Sequence, residues 1–149
     1  MAEKNIAINR KARFEYFLEE FYEAGIELTG TEIKSIRQGH VQFKEAYIEF
    51  NGGEAFIVDM HIAAYDHGNI FNHDETRKRR LLLHKVEIRH LKKAVQVKGY
   101  TVIPTRMYLK NGLAKMEIAL AKGKDLYDKR QTLKERDVQR EIDKAMKIR

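Results

Sequence analysis

Two short tracts, Asn51-Gly52-Gly53 and Asn111-Gly112, constrain the fold of this chain more than any other feature in it. Asn and Gly accept a positive φ at low cost, and two-residue hairpin loops require one. Each tract is flanked by runs of strand character, 41–50 and 54–62 around the first, 100–110 and 113–121 around the second. Met116, Ile118 and Leu120 alternate with Lys115 and Glu117, the period of a half-buried strand. Phe56, Val58, Met60 and Ile62 alternate in the same way with Ile57, Asp59 and His61. Two antiparallel hairpins are therefore predicted. Pro104 marks its strand as an edge or a bulged one, because proline has no N–H to give a ladder.

Residues 14–28, FEYFLEEFYEAGIEL, carry two periods at once. Phe14, Tyr16 and Leu18 keep period two, continued by Ile26 and Leu28, whereas Phe17, Phe21 and Ala24 are spaced for a helix. The reading adopted is a long strand with a bend or bulge near Gly25. GTEIKSIRQG (30–39) predicts a short helix capped by Gly30 or Thr31, with Glu32 in its first turn and Gly39 closing it. Ile33 and Ile36 then share an inner face, and Lys34 and Arg37 another. Residues 63–76 read as an irregular loop. RKRR (77–80) leads into a helix on which Leu81, Ile88, Leu91 and Val95 keep helical spacing and which Gly99 stops. His84, Lys85, Arg89, Lys92 and Lys93 make its outer side basic.

Residues 122–149 differ from the rest. Val138, Ile142, Ala145 and Met146 form a thin apolar stripe on an otherwise charged segment. So narrow a stripe buries little area, so the segment is expected to be largely disordered when free and helical when bound. The fold class expected is mainly β: an OB-like antiparallel β-barrel of about six strands with two or three flanking helices and a C-terminal tail. A helix-packed open sheet is the alternative architecture. The division expected is a domain over 1–130 and a basic tail over 131–149.

The net charge of +7 is unevenly placed. Residues 1–76 hold 7 Lys/Arg against 14 Asp/Glu, whereas residues 77–93 hold 8 against Glu87 alone, and residues 122–149 hold 10 against 6. Clustered basic charge is the footprint of a polyanion partner. Four cations, Arg77 to Arg80, at a predicted helix start oppose the helix dipole, so helix stability does not explain them. Tyr16, Phe17, Phe21, Tyr22, Phe43 and Tyr47 are candidates for stacking on bases, though most are expected in the core.

Other chemistry has little to stand on. His61, His67 and His73 recur every six residues, which matches no compact metal-ligand motif, and the chain has no Cys. No phosphate-binding glycine loop occurs, the acidic residues form no marked pair, and the single Ser35 has no evident base. The chain is expected not to be an enzyme and to need no cofactor or metal. Zero Cys, no apolar run near membrane-spanning length and no signal-peptide core in MAEKNIAINRKARF predict a cytoplasmic protein.

In order, NRKARFEYFLEEFYEAGIEL (9–28), GTEIKSIRQG, GEAFI, RKRRLLLHKVEI (77–88), GYTVIP (99–104) and KGKDLYDKR (122–130) resemble the SsrA-binding protein family, small protein B. The stretches span nearly the whole chain. The resemblance implies an OB-like fold that binds the tRNA-like domain of transfer-messenger RNA (tmRNA, or SsrA) and delivers it to stalled ribosomes for trans-translation. It also implies entry with elongation factor Tu and GTP through the RNA complex. The tail would probe the empty mRNA channel beside the small-subunit decoding centre. The RNA-binding residues implied are Asn9, Glu23, Glu32, Lys34, Arg37, Arg77, Arg79, Arg80 and Lys115. A carboxylate such as Glu23 or Glu32 either accepts from a base or ribose or holds a neighbouring Arg in place. Leu82 also falls in the motif and is expected to pack in the core. The ribosome-binding tail motif implied is Lys122, Lys124, Tyr127, Asp128, Lys129 and Arg130. Two residues depart from the family pattern: Tyr127 stands where a His is usual, and Glu75 where a Pro often follows His-Asp. A monomer is expected. The alternative is a general OB-fold RNA-binding translation factor.

Overall fold

The computed structural model describes residues 3–65 and 72–124. In chain order its elements are β1 (Glu3–Ile8), α1 (Arg10–Glu15), β2 (Tyr16–Ile26), α2 (Gly30–Arg37), β3 (Val41–Gln42), β4 (Tyr47–Asn51) and β5 (Glu54–Val58). There follow β6 (His61–Ile62), β7 (Arg79–Leu82), α3 (Lys85–Ala94), β8 (Tyr100–Lys110) and β9 (Leu113–Gly123). Seven strands form one antiparallel sheet in the order β1-β8-β9-β2-β7-β5-β4, and β3 pairs with β6 apart from it.

Both glycine turns close the hairpins they predict. Gly52 and Gly53 sit at φ +61° and +77°, and Asn111 and Gly112 at +54° and +79°. Two-residue loops with both centres left-handed match the twist of the flanking strands. They set the registers Asn51 to Glu54 and Lys110 to Leu113. A bulge falls between Pro104 and Arg106, as the proline predicts.

The mainly β, OB-like reading holds, but the closed barrel becomes a curled open sheet. Its edges by hydrogen bonding are β1 and β4. The five-residue β4 lies against β8, the strand next to the β1 edge, without a ladder between them, so the sheet curls back on itself without closing. Ile57, Met60, Leu81, Leu91, Met107 and Ile118 fill the interior, each at most 1% exposed. Burying such a side chain is worth roughly 1.5–3 kcal/mol.

Four local expectations are corrected. First, Phe14 belongs to α1, not to a strand. Asn9 caps this helix by accepting from the Ala12 N–H at 3.2 Å. The irregularity in β2 lies between Leu18 and Glu20, not at Gly25. It reverses the strand's phase: Tyr16 and Leu18 pack beneath α1 with Ala12, Ile103 and Ala121, whereas Tyr22 and Ala24 join the main core. Second, Thr29 rather than Gly30 or Thr31 caps α2, in a capping box with Glu32. Third, Arg79–Leu82 is a strand, and the helix begins only at Lys85. This strand bridges β2 and β5, pairing Leu81 with both Ile26 and Ala55. Fourth, β5 buries Ala55 and Ile57 as well as Val58, and of the set expected inside only Phe56 is half-buried. Asp59, at φ +65°, then breaks the phase, so that Met60 and Ile62 turn inward.

Candidate nucleic-acid interface

The residues singled out by sequence fall into three groups. Asn9 stands apart. Its Oδ1 caps α1 and its Nδ2 donates to the Pro104 carbonyl at 2.8 Å. Both ends of the side chain are thus engaged in tying α1 to the bulge of β8.

Glu32 organises the second group. Its position as third residue of α2 turns its carboxylate back to the Thr29 N–H, which donates to Oε1 at 2.8 Å. Arg77 grips both oxygens, Nε to Oε2 at 3.0 Å and Nη2 to Oε1 at 2.6 Å. Arg79 Nε also donates to Oε2. Glu32 and Arg79 have fully buried side chains. Burial opposes ionisation of Glu32, but the donors from Arg77, Thr29 and Arg79 outweigh it and hold the carboxyl below its ordinary value of 4.5. The remaining Arg79 nitrogens donate to the carbonyls of Met60 (2.9 Å), Arg77 (3.1 Å), Asp74 (3.3 Å) and Glu75 (3.1 Å). Arg79 therefore presents no donor to a ligand; it staples the 72–78 loop to the sheet. Glu32 likewise holds arginines in place, the second of the two roles open to it. His73 adds a further pin: its Nε2–H donates to the Ile62 carbonyl and its Nδ1 meets the Thr31 hydroxyl, each at 2.8 Å.

The cations this frame presents are Arg77, with 33% of its side chain exposed, and Lys34 and Arg37 on the exposed face of α2. Lys34 Nζ lies 5.4 Å from the centroid of the Tyr65 ring. Fixed, desolvated anchors beneath exposed cations suit phosphate binding, because the groups lose little freedom when the ligand arrives.

The third group lies on the outer face of the sheet. Register places Leu82, Gly25, Lys115, Tyr108 and Asn5 in one row across β7, β2, β9, β8 and β1. Glu23, Glu117 and Arg106 form the next row. Tyr108 donates to Glu23 Oε2, as does Lys110 Nζ at 3.3 Å. These donors, Tyr108 foremost, lower the Glu23 pKa, while burial and the bond to Glu23 raise that of Tyr108. Arg106 stacks 4.1 Å from the Tyr108 ring centroid. Leu82 is 48% exposed rather than in the core, since its partner Gly25 leaves it on the outer face. Arg80, also outside, reaches Glu27 at 3.5 Å and Glu54 at 3.4 Å. Tyr108 and Arg106 were missed from sequence, although counting back from the Asn111-Gly112 turn pairs Tyr108 with Lys115.

Of the aromatics, Phe43 is buried, whereas Phe17 (40%) and Phe21 (46%) are exposed on β2. Lys122 and Lys124 stand near this end of the sheet, Lys122 Nζ 5.2 Å from the Tyr100 ring and Lys124 Nζ 5.0 Å from the Phe17 ring. Tyr127, Asp128, Lys129 and Arg130, and the tail 131–149, lie outside the described residues. Among the described residues no cluster of three His, Cys, Asp or Glu could hold a metal ion, and no helix is long and apolar enough to cross a membrane.

Fold and surface together define a class: a small OB-like β protein that displays anchored cations and a polar sheet face to a polyanion. Within that class the chain belongs to the SmpB protein family, whose pattern it matches over residues 6–148. It is 54% identical to the SsrA-binding protein of Caldicellulosiruptor saccharolyticus, with 99% of this chain and 98% of the relative covered. With the SsrA-binding protein of Ligilactobacillus salivarius the identity is 52%, covering 95% and 92%. A chain in a solved structure concerned with tmRNA-SmpB and the centre of the bacterial ribosome superposes with a TM-score of 0.68 at 45% identity, covering 79% of this chain and 83% of that one.

Proposed function

We propose that this protein is the RNA-binding adaptor of trans-translation: it binds the tRNA-like domain of tmRNA and delivers it to stalled ribosomes. The observation that carries the reading is the likeness, across fold and sequence, to the chain of the tmRNA-SmpB structure. The surface chemistry supports it. Lys34, Arg37 and Arg77 offer cations to phosphates on a frame locked by Glu32 and Arg79. Glu23, held by Tyr108 and Lys110, offers a fixed acceptor for a base amino group or a ribose hydroxyl, with Lys115 in the adjacent row. Asn9, Arg79 and Glu32 act by positioning, Arg80 by direct contact. The protein acts by binding, without chemistry of its own, as a cytoplasmic monomer that enters the ribosome with elongation factor Tu and GTP through the RNA complex.

Residues 131–149 form the second functional part. The tail, with Lys122, Lys124, Tyr127, Asp128, Lys129 and Arg130 at its root, works at the decoding centre and folds as a helix in the empty mRNA channel. A reconstituted peptide-tagging reaction on ribosomes stalled without a stop codon tests the division. A chain lacking 131–149 is expected to bind tmRNA with unchanged affinity and to support no tagging. Equal loss of both would contradict it.

A further inference from the structure

We propose that a groove between the β4–β5 turn and α3 binds the phosphate backbone of an RNA strand, at a site separate from the Arg77 cluster. The inference rests on the RNA-binding reading above and adds a contact to it. The groove has a volume of about 580 Å3. Arg80, Lys85, Arg89 and Lys92 line it, and Glu54 is the one acid among the lining residues. Residues 85, 89 and 92 are spaced i, i+4, i+7, so they stack along one side of α3 over roughly 10 Å. Ile88 and Leu91 meanwhile anchor the helix in the core at 6% and 0% exposure.

Helix stability does not account for this stripe. Lys85 is the first residue of α3, where the helix dipole disfavours a cation. Lys85 and Arg89 are like charges one turn apart, an unfavourable pair. Only Lys92, in the last turn, stands where the dipole favours it. Nor does neutralisation account for it. Among the described residues Lys78, Arg106 and Lys110 are ion-paired, but Lys85, Arg89 and Lys92 make no salt bridge. The opposite wall is the Gly52-Gly53 turn, where no heavy atom lies within 4 Å of either missing Cβ. That wall therefore leaves room for a sugar-phosphate chain to approach the backbone.

Position separates the groove from the Arg77 cluster and joins it to the sheet face. Arg77 precedes β7; Arg80, on the near rim of the groove, lies about 10 Å along the strand from it, and the α3 cations lie beyond the strand's far end. Leu82 lines the groove and begins the row that continues through Gly25 and Lys115 to Tyr108. A strand leaving the α3 cations thus passes directly onto the face that carries Glu23.

The test is titration of the full chain with the tRNA-like domain of tmRNA across a salt series. Each phosphate contact contributes about 0.7–0.9 to the slope of log affinity against log salt. The variant Lys85→Gln/Arg89→Gln/Lys92→Gln is expected to bind at least tenfold more weakly and to flatten that slope by about two to three. Thermal unfolding checks that it is folded. If it is not, the single variant Arg89→Gln decides, with a flattening of about 0.7–0.9 expected. Folded variants with unchanged affinity and slope overturn the groove while leaving wild-type RNA binding intact. Absence of wild-type binding overturns the RNA-binding reading itself, and the groove with it.

Discussion

Glu32 sits where three parts of the chain meet: the cap of α2, the loop before β7 and β7 itself. A buried carboxylate with one buried arginine and one half-exposed arginine is costly to assemble and more costly to break, because either charge left alone stays desolvated. Glu32→Gln is therefore expected to lower the free energy of unfolding in urea by about 3–5 kcal/mol; a loss below about 1 kcal/mol would show that Arg79 does not depend on it. The sign of the pH effect follows from the direction of the shift. The folded pKa of Glu32 lies below 4.5, so its contribution is present above that value and is lost as pH falls through the folded pKa. Wild-type stability should decline over that acid window, and the decline should be shallower in Glu32→Gln. Arg79 was legible in the sequence as a cation and as part of a motif, but not as a buried one. Nothing in RKRR distinguishes Arg79 from Arg80, because the difference arises from the inward and outward alternation of β7.

The elements that were legible are those fixed by local chemistry. Asn111-Gly112 and Gly52-Gly53 specify their hairpins through backbone conformations that few other residues accept. Gly112→Val places a β-branched residue at φ +79° and is expected to cost about 1–2 kcal/mol in thermal or urea unfolding, with wild-type RNA contacts on α2 unaffected. A cost near zero would mean that the turn does not set the register. The elements that were misread are those fixed by partners distant in sequence. Residues 81–84 keep helical spacing with Ile88 and Leu91, yet β7 forms because β2 and β5 each need a neighbour there. The period-two reading from Phe14 and Tyr16 through Leu18 to Ile26 conceals a bulge that sends the two halves of β2 to two different cores. Side-chain pattern alone carries no sign of such a phase reversal.

At the scale of the whole molecule, charge and fold divide the work. The acidic first half builds about half of the sheet, and its carboxylates are spent largely on holding cations: Glu32 on Arg77 and Arg79, Glu49 on Lys78, Glu23 on Lys110. The basic second half supplies most of the positive charge, which Lys34 and Arg37 on α2 join at the exposed surface. The partner's chemical class was therefore legible from composition, and its identity from motif order, whereas the division of the 77–93 block between β7 and α3 required the fold. Recognition of a folded, tRNA-like RNA by a rigid frame is the central claim. The most direct measurement is a titration at fixed salt of the full chain against the tRNA-like domain of tmRNA and against an unstructured RNA strand of equal length. Binding to the tRNA-like domain at least a hundredfold tighter, about 2.7 kcal/mol, is the predicted result. Equal affinity for the two RNAs would contradict it.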